Sequence, residues 1–507
     1  MATWTARSRE ARPTTARGTS IVIVVLIAAV AAILRAAPFA FPEAVLWIRE
    51  NDDGVMYSGA LALLRGAAPY ADFDYVHPPG SLLLLAPFAA LGSVTNEAVG
   101  LAGARLLTIA VGVANTVLIG MLLRRFGSGA IVIGAGAYAV WGTAVATERT
   151  YLLEPYLNLA LLVALAAFAA GRRGAPVSAG IAIGLAVVVK FWAILDVLVI
   201  GALAWSRSGR SGLLRYLAAG SAAAAAVALP FLVRDPGAMW RLTVSAQLGR
   251  RGNDVDLAER ADVFSPYLSF PALRELIPTT ASALGVALLL AVAAVPLVAA
   301  ARARRTPRDW PDEAWWSVIT LAHALAIGLS AMFFYHYAAW IMAPLALSLG
   351  AAVGRLRRRR LRVAAVAAAS AVLALMAAGD LRSATPTPSA STIRAWATSH
   401  DCVAGMPSVL VAADHVGANL AGGCPMDVDP LSLGMTLPEA GNLTHRGLIE
   451  STEWTDRWWS YVEGADGAAI TADQREWFTP AQRERFEDEF RLDGVVGRIE
   501  LWSRVAP

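Results

Sequence analysis

The chain has 507 residues, of which 57% are hydrophobic and only 16% are charged. A soluble domain carries about 25% charged residues, and here the charges fall between long Ala/Leu/Val/Ile segments that match the length of a membrane-spanning helix. This composition excludes an ordinary soluble protein, and the small net charge of +4 argues against nucleic-acid binding.

Eleven segments are predicted to span the membrane. They cover residues 20–40, 97–123, 129–147, 153–171, 176–189, 191–206, 216–233, 281–300, 314–334, 339–354 and 363–379. One arginine cluster precedes the first segment, and another follows every second segment. Positively charged loops stay in the cytoplasm. A cytoplasmic N-terminus and an odd number of spans place every cluster inside and the C-terminus outside. The alternatives are one pair of spans more or fewer, a single long helix over 176–206, and a cleaved signal peptide in place of the first span.

The predicted fold is an all-α polytopic membrane protein with a small extracytoplasmic C-terminal domain of α/β or α+β type. The divisions are a basic cytoplasmic N-terminus (1–20), a transmembrane domain (21–379) with outer loops 41–96 and 234–280, a linker (380–395) and the C-terminal domain (396–507). Cys402 and Cys424 both follow the last span. An oxidising outer compartment favours a disulfide between them, and two free buried thiols are the alternative.

The first outer loop has the most informative sequence, ENDDGVMYSGALALLRGAAPYADFDYVHPPG. Asp53 and Tyr57 are four residues apart and would share one face of a helix, and Asp52 is the neighbouring acid. We predict an amphipathic helix over 54–65 along the membrane interface, followed by a turn and a rigid aromatic and proline-rich run over 73–79. A solvated polar loop is the simpler interpretation.

These residues carry a family resemblance. The pattern D-G-x-x-Y, followed by G-x-x-P-Y-x-D-F-x-Y-x-H-P-P-G, resembles the first outer loop of the glycosyltransferase C superfamily, and most of all its bacterial members that use polyprenyl-phosphate sugars. The resemblance implies a fold of many membrane helices, a catalytic acid in the first outer loop and, often, a soluble outer domain at the C-terminus.

The resemblance also implies roles for individual residues. Asp53 matches the catalytic acid, with Asp52 as the other candidate, and such a carboxylate can act as general base toward an acceptor hydroxyl. Tyr57 and Tyr75 would line the site. His77 stands where the aminoarabinose transferase has a lysine that meets the lipid phosphate, so it could replace that lysine only by hydrogen bonding or when protonated. A cap on the Pro-Pro turn is the alternative for His77.

Further signals lie in the run ERTYLLEP, between two predicted spans. Charged residues at this depth are costly unless they are paired or functional. Glu154 resembles the second acidic position of the superfamily, and Glu148 with Arg149 is a candidate second acid and phosphate contact. An ordinary interfacial ion pair is the alternative.

Lys190 is the only lysine among 43 Lys and Arg residues and lies in an apolar stretch. A compact ammonium suits a phosphate, although a snorkelling side chain near a helix end would give the same pattern. In FFYHY, His336, between Tyr335 and Tyr337, resembles the His-Tyr element that members of the superfamily turn toward the donor, and Tyr335 is a further candidate for substrate binding. An aromatic belt explains the tyrosines of this run but not the histidine.

The predicted function is a plasma-membrane glycosyltransferase. It would move mannose or arabinofuranose, with inversion, from a polyprenyl-phosphate donor to a glycan, lipid or protein acceptor of the cell envelope on the outer face. No cofactor is predicted, and a divalent metal is a possible addition. A lipid or polysaccharide flippase and a non-catalytic protein that binds envelope glycan are the alternatives.

Overall fold

The computed structural model describes residues 14–41, 43–249, 255–264, 278–382, 387–432 and 450–505. Most of the predicted cytoplasmic N-terminus, and parts of the outer loop 234–280, of the linker and of the C-terminal domain, lie outside the described residues.

The part of the described chain that ends at residue 382 is helical. Its α-helices are α1 Thr14–Ala36, α2 Asn51–Leu64, α3 Gly80–Val94, α4 Glu97–Leu123, α5 Ser128–Val140, α6 Gly142–Thr147, α7 Glu154–Ala169, α8 Ala175–Val189, α9 Ile194–Leu232, α10 Pro236–Trp240, α11 Ala246–Leu248, α12 Leu257–Val263, α13 Thr279–Arg302, α14 Asp312–Leu329, α15 Tyr337–Gly354 and α16 Arg359–Arg382.

Within the described ranges, six helices are long and apolar enough to cross a membrane: α1, α4, α9, α13, α15 and α16. The apolar helices α3, α5, α7 and α8 are shorter than such a segment. Every predicted span coincides with one or two of the helices. The count of about eleven spans and the cytoplasmic N-terminus remain predictions.

Helix α9 contains two of the predicted spans. Its axis breaks at Gly209, where φ is +65°, a left-handed backbone that glycine adopts without steric cost. The hydroxyl of Tyr216, in the second arm, donates to the carbonyl of Val197 in the first arm at 3.2 Å. The two arms therefore pack against each other as a helical hairpin.

The C-terminal residues form a four-stranded mixed sheet with helices around it. The strands are β1 Val403–Gly405, β2 Gly467–Thr471, β3 Phe490–Val496 and β4 Ile499–Arg504, and the helices are α17 Ala390–Ala397, α18 Pro407–Ala413, α19 Val416–Gly422, α20 Thr452–Glu463, α21 Ala472–Arg475 and α22 Pro480–Glu489. The strand order is β1-β2-β4-β3, with β1 parallel to β2 and the other pairs antiparallel. Cys402 and Cys424 are joined by a disulfide, with their Cα atoms 5.6 Å apart.

This sheet unit docks on the first outer loop. The carboxylate of Glu97, at the start of α4, accepts from the backbone N–H groups of Val416 and Gly417 at 3.0 and 2.6 Å. Asp414 accepts in return from the backbone N–H of Glu97 at 2.8 Å. The free backbone N–H groups at the starts of α4 and α19 are thus hydrogen-bonded to carboxylates across the interface.

One prediction about helix α2 is wrong. The helix was expected to be amphipathic, but ten of its residues, from Asp53 to Ala62, are buried; its position along the membrane interface stays a prediction. It lies between α3 and α18, and a Cβ added to Gly54 would lie 2.3 Å from the backbone of Ser408. Helix α2 is therefore packed against protein on several sides, because the C-terminal unit supplies a second packing surface.

Candidate active site

Four chain segments bring candidate residues together: the start of α2, the start of α7, the junction of α8 and α9, and the start of α15. Glu154 is the first residue of α7, where the helix dipole favours a negative side chain. Lys190 follows α8 with extended backbone angles, which ends that helix. His336 precedes α15 as its N-cap. The site therefore forms where helices begin and end.

The carboxylate of Glu154 is the hub of this site. Its Oε1 accepts hydrogen bonds from Lys190 Nζ and from His336 Nδ1, the latter at 2.9 Å. All three residues are at most 5% exposed. The Lys190 ammonium also lies 4.7 Å from the ring centroid of Tyr337. The other oxygen, Oε2 of Glu154, is buried and has no hydrogen-bond partner among the described residues.

Asp52 lies on the open side of this cluster. Its Oδ2 is 3.9 Å from Nε2 of His336, and its side chain is 41% exposed. Each ring nitrogen of His336 therefore faces a carboxylate, Glu154 on one side and Asp52 on the other. The adjacent Tyr335 hydroxyl donates to Glu50 at 2.8 Å, which ties the same two segments together a second time.

Asp53, the first choice for the catalytic acid, is in a different environment. It is completely buried, and its Oδ2 accepts from Nε and Nη2 of Arg105 at 2.9 and 2.8 Å. The same guanidinium donates to the backbone carbonyls of Val45 and Trp47 at 2.6 and 2.8 Å. This arrangement pins the start of the outer loop to α4.

Burial raises the pKa of two outer-loop acids. For Asp53 the charge and hydrogen bonds of Arg105 oppose the rise in pKa. For Glu50 the neighbouring Asp52 adds to the rise in pKa, while the hydrogen bond from Tyr335 opposes it.

Three other predicted residues of the first outer loop lie in well-packed surroundings. The Tyr57 hydroxyl lies 3.4 Å from the carbonyl of Phe88, against α3. The Tyr75 hydroxyl pairs with Ser81 Oγ at 2.6 Å. The ring of His77 meets that of Tyr75 edge-on, with the centroids 5.8 Å apart. The described contacts of Tyr57 and Tyr75 are those of core side chains.

Glu148 and Arg149 lie apart from the Glu154 cluster in their described contacts. Glu148 is 1% exposed and pairs with Arg35 of α1, while the Tyr138 hydroxyl donates to it at 2.6 Å. Arg149 donates to the carbonyl of Leu34 at 2.8 Å. These contacts connect α1 to the turn before α7.

Arg105, Asp196 and His323 are buried polar residues that were not predicted from the sequence. The signal was available, since each interrupts an apolar run and buried charges in a membrane are rare unless paired or functional. The partners of these residues could not be predicted from the sequence, because Asp53 and Arg105 are 52 residues apart and Asp196 and His323 are 127 residues apart.

A cavity of about 450 Å³ opens beside the cluster. Its lining includes Trp192 and Leu195, near the start of α9, and Leu329 at the end of α14. Tyr337, which lies under the Lys190 ammonium, is part of the same wall. The cavity is thus lined mostly by apolar side chains, and the Tyr337 ring lies between its wall and the Lys190 ammonium.

No group of three or more His, Cys, Asp or Glu side chains within the described residues could hold a metal ion. The hydrogen-bonding groups of the site are two carboxylates, an ammonium and an imidazole.

One sequence family and several solved structures match this chain. The family is "Glycosyltransferase family 87", whose model matches residues 75–311. That range includes Glu154 and Lys190 but neither Asp52 nor His336. No curated protein matches the sequence.

The structural matches extend over nearly the whole chain. The fold is similar to ArnT from Cupriavidus metallidurans bound to undecaprenyl phosphate, with a TM-score of 0.55 and 16% identity over 97% of this chain and 99% of that one. It is also similar to the oligosaccharyltransferase of Archaeoglobus fulgidus in the apo form, with a TM-score of 0.56 and 13% identity over 97% and 75%. The oligosaccharyltransferase AglB of that organism, in complex with an inhibitory peptide and a dolichol-phosphate, gives 0.55 and 13% over the same shares.

At these identities the structures establish the fold, and the family match agrees with it. The resemblance predicted from the first outer loop is confirmed at the level of the fold: the structure is similar to membrane glycosyltransferases of the glycosyltransferase C superfamily, and the glycosyltransferase family model matches a little less than half of the chain.

Proposed function

We propose that this protein transfers a sugar from a polyprenyl-phosphate donor to a hydroxyl of a cell-envelope glycan, lipid or protein on the outer face of the plasma membrane. The observation that carries the proposal is the buried cluster of Glu154, Lys190 and His336, with the exposed acid Asp52 beside it. A general base and a phosphate-binding cation are the two groups that this transfer needs.

We assign the role of general base to Asp52 in preference to Asp53. A base must lie within hydrogen-bond reach of the proton that it removes. Asp52 is open to an incoming hydroxyl, whereas Asp53 is buried and held by Arg105. Asp53 would then act by fixing the N-terminal turn of α2, from which Asp52 projects.

We assign the phosphate to Lys190 and His336. An ammonium has three N–H donors, and the described contacts of Lys190 use one of them, to Glu154. Glu154 would hold both nitrogen groups in place while occupying one donor of the ammonium, and His336 would have a second N–H for the phosphate when its imidazole is protonated at both nitrogens. Phosphate oxygens that approach Lys190 gain charge as the sugar departs, so this contact is stronger in the transition state than in the ground state.

The reaction would be a single displacement. The acceptor oxygen bonds to the anomeric carbon as the bond from that carbon to the phosphate oxygen breaks, and the configuration inverts. The acceptor proton passes to Asp52, and polyprenyl phosphate leaves with the electron pair. The apolar cavity beside Tyr337 would take the isoprenoid end of the donor. Undecaprenyl phosphate and dolichol-phosphate in two of the similar structures support this donor class.

Mannose and arabinofuranose are the proposed sugars, on the basis of the sequence resemblance alone. The test is transfer from radiolabelled polyprenyl-phosphate mannose or arabinofuranose by the purified protein in lipid nanodiscs. Asp52→Asn is expected to lower kcat by about 10²- to 10⁴-fold. Asp72→Asn, which alters an exposed acid of the same loop, is the matched control and should retain activity.

No transfer from either donor by folded wild-type protein would reject the proposed donors. The flippase alternative would be favoured if the protein, reconstituted in liposomes, moved fluorescent polyprenyl phosphate across the bilayer without transferring sugar. Equal activity of wild type and Asp52→Asn would remove Asp52 from the mechanism.

A further inference from the structure

A second buried acid–base pair lies outside the cluster of Glu154, Lys190 and His336. Asp196, in the first turn of α9, and His323, in α14, are at most 1% exposed. His323 Nε2 lies 2.9 Å from Asp196 Oδ1. The other ring nitrogen, Nδ1, is buried without a hydrogen-bond partner among the described residues. The mechanism proposed above uses neither residue.

Stability is a poor explanation for this pair. Asp196 lies two residues from the start of α9, and His323 lies six residues from the end of α14, which is about 9 Å at 1.5 Å per residue. Replacing a buried ion pair with apolar side chains of similar size is often neutral or stabilising. A pair that gives little stability and leaves Nδ1 unsatisfied calls for another role.

A chain of ring contacts connects the pair to the site. The His323 ring stacks on Trp340, with centroids 3.7 Å apart and planes 20° apart. Trp340 meets Trp192 edge-on at 5.3 Å, and Trp192 contacts Tyr337 at 4.5 Å. Tyr337 lies under the Lys190 ammonium. Each contact in this series is direct.

We propose that Asp196 and His323 are positioning residues, which hold the aromatic wall of Trp340, Trp192 and Tyr337 so that the Lys190 ammonium is aimed at the donor phosphate. This inference rests on the proposed function of Lys190. The pair fixes Trp340 from two sides, since His323 stacks on its ring and Asp196 Oδ2 lies 3.4 Å from its indole Nε1. The three aromatic residues also line the cavity, so their positions set its shape beside the cation.

The geometry gives a reason for such support. An ammonium on a four-carbon chain is flexible, and Lys190 is anchored by one hydrogen bond and one ring. If the Tyr337 ring moved, Glu154 alone would position the ammonium. A displacement of about 1 Å at a reacting group can cost about 10²-fold in rate.

The test is a double-mutant cycle between the pair and Lys190. Asp196→Asn retains hydrogen-bonding atoms but removes the carboxylate that contacts His323 and Trp340, and Lys190→Gln keeps a donor for Glu154 without the ammonium. Sugar transfer is measured for wild type, both single variants and the double variant. Asp196→Asn alone is expected to lower kcat/KM by about 10- to 100-fold. In the Lys190→Gln background the same change should have an effect below about 3-fold, because residues that act through one another are not additive.

Thr320→Val is the matched control. Thr320 is buried in α14 one turn from His323 and contacts Ser348 of α15 at 3.1 Å, but its described contacts do not reach the aromatic wall. It should change kcat/KM little in either background. If Asp196→Asn does not yield folded protein, Trp340→Phe, which keeps a ring against His323 and leaves no charge unpaired, serves in the same cycle.

Independent, multiplicative losses from Asp196→Asn and Lys190→Gln would overturn the inference, as would a lower melting temperature with unchanged kcat/KM. An unchanged rate in Lys190→Gln itself would reject the proposed role of Lys190, a result separate from the failure of the coupling.

Discussion

The pair formed by Asp53 and Arg105 allows a quantitative test of which acid does chemistry. Asp53→Asn preserves the shape of the side chain but leaves the Arg105 guanidinium, 1% exposed, without a counter-charge. Removing one partner of a buried ion pair costs about 3–5 kcal/mol. The two carbonyl contacts to Val45 and Trp47 hold the guanidinium inside, so it cannot relax toward water. We therefore expect Asp53→Asn to lower the free energy of unfolding by an amount in this range.

The double variant Asp53→Asn/Arg105→Met provides the internal check. It removes the unpaired charge but also frees the carbonyls of Val45 and Trp47, at about 0.5–1.5 kcal/mol for each lost hydrogen bond. The buried amide at position 53 also loses its partner, at about 1–3 kcal/mol. The loss of stability in the double variant should be smaller than the sum of the losses in Asp53→Asn and Arg105→Met, because the double variant leaves no unpaired charge. SDS-induced unfolding in mixed micelles measures the difference.

Sugar transfer by the same proteins separates stability from catalysis. Folded Asp53→Asn protein should transfer sugar more slowly than wild type but still measurably, because Asp53 fixes the turn that carries Asp52. Asp52→Asn should lose transfer and keep its stability, because the Asp52 side chain is 41% exposed. Asp53→Asn protein that is as stable as wild type but transfers no sugar would refute the reasoning. Asp53 would then be the base.

Three further predictions concern the C-terminal unit. Gly54→Val should loosen its docking and speed proteolysis of the unit, because a Cβ at this position lies 2.3 Å from the backbone of Ser408. Burial lowers the pKa of His415, so its neutral form favours the folded state. Stability should fall as the pH drops below about 6.5, where an unfolded histidine takes up a proton, and His415→Gln should flatten this dependence of the melting temperature on pH. Cys402→Ser opens a loop closed across 22 residues and should cost about 3 kcal/mol of stability, measured in denaturant against the oxidised wild type, whereas the reduced wild type should be about as stable as the variant.

The helices were largely predictable from the sequence. Apolar runs bounded by arginines predicted segments that coincide with helices, because in a membrane the backbone must satisfy its own hydrogen bonds. The break at Gly209 separates two predicted spans. The burial of α2 was not predictable, because its cover comes from α18, more than 300 residues later in the chain. Periodicity shows that a face is apolar but not what covers it.

The candidate site was predictable residue by residue but not as an arrangement. Glu154, Lys190 and His336 each stood out as a polar residue in apolar surroundings, and the structure brings them within hydrogen-bond distance. Glu148 stood out for the same reason, yet it pairs with Arg35. The sequence shows that a charged residue in an apolar run needs a partner. Which partner it contacts depends on the rotation of each helix about its axis, which the sequence does not show.

The partners distinguish the structural charges from the functional ones. Asp53 with Arg105, and Glu148 with Arg35, each match one carboxylate to one guanidinium that also donates to backbone carbonyls, so these cations are committed to the fold. Glu154 instead binds a lysine and a histidine through a single oxygen, which leaves N–H donors of the ammonium for another acceptor. A flat, five-donor arginine at position 190 could grip Glu154 with two parallel hydrogen bonds, whereas a lysine meets it as a point charge. The lone lysine of the chain thus occupies the position where, in the proposed mechanism, an incompletely paired cation would bind an incoming phosphate.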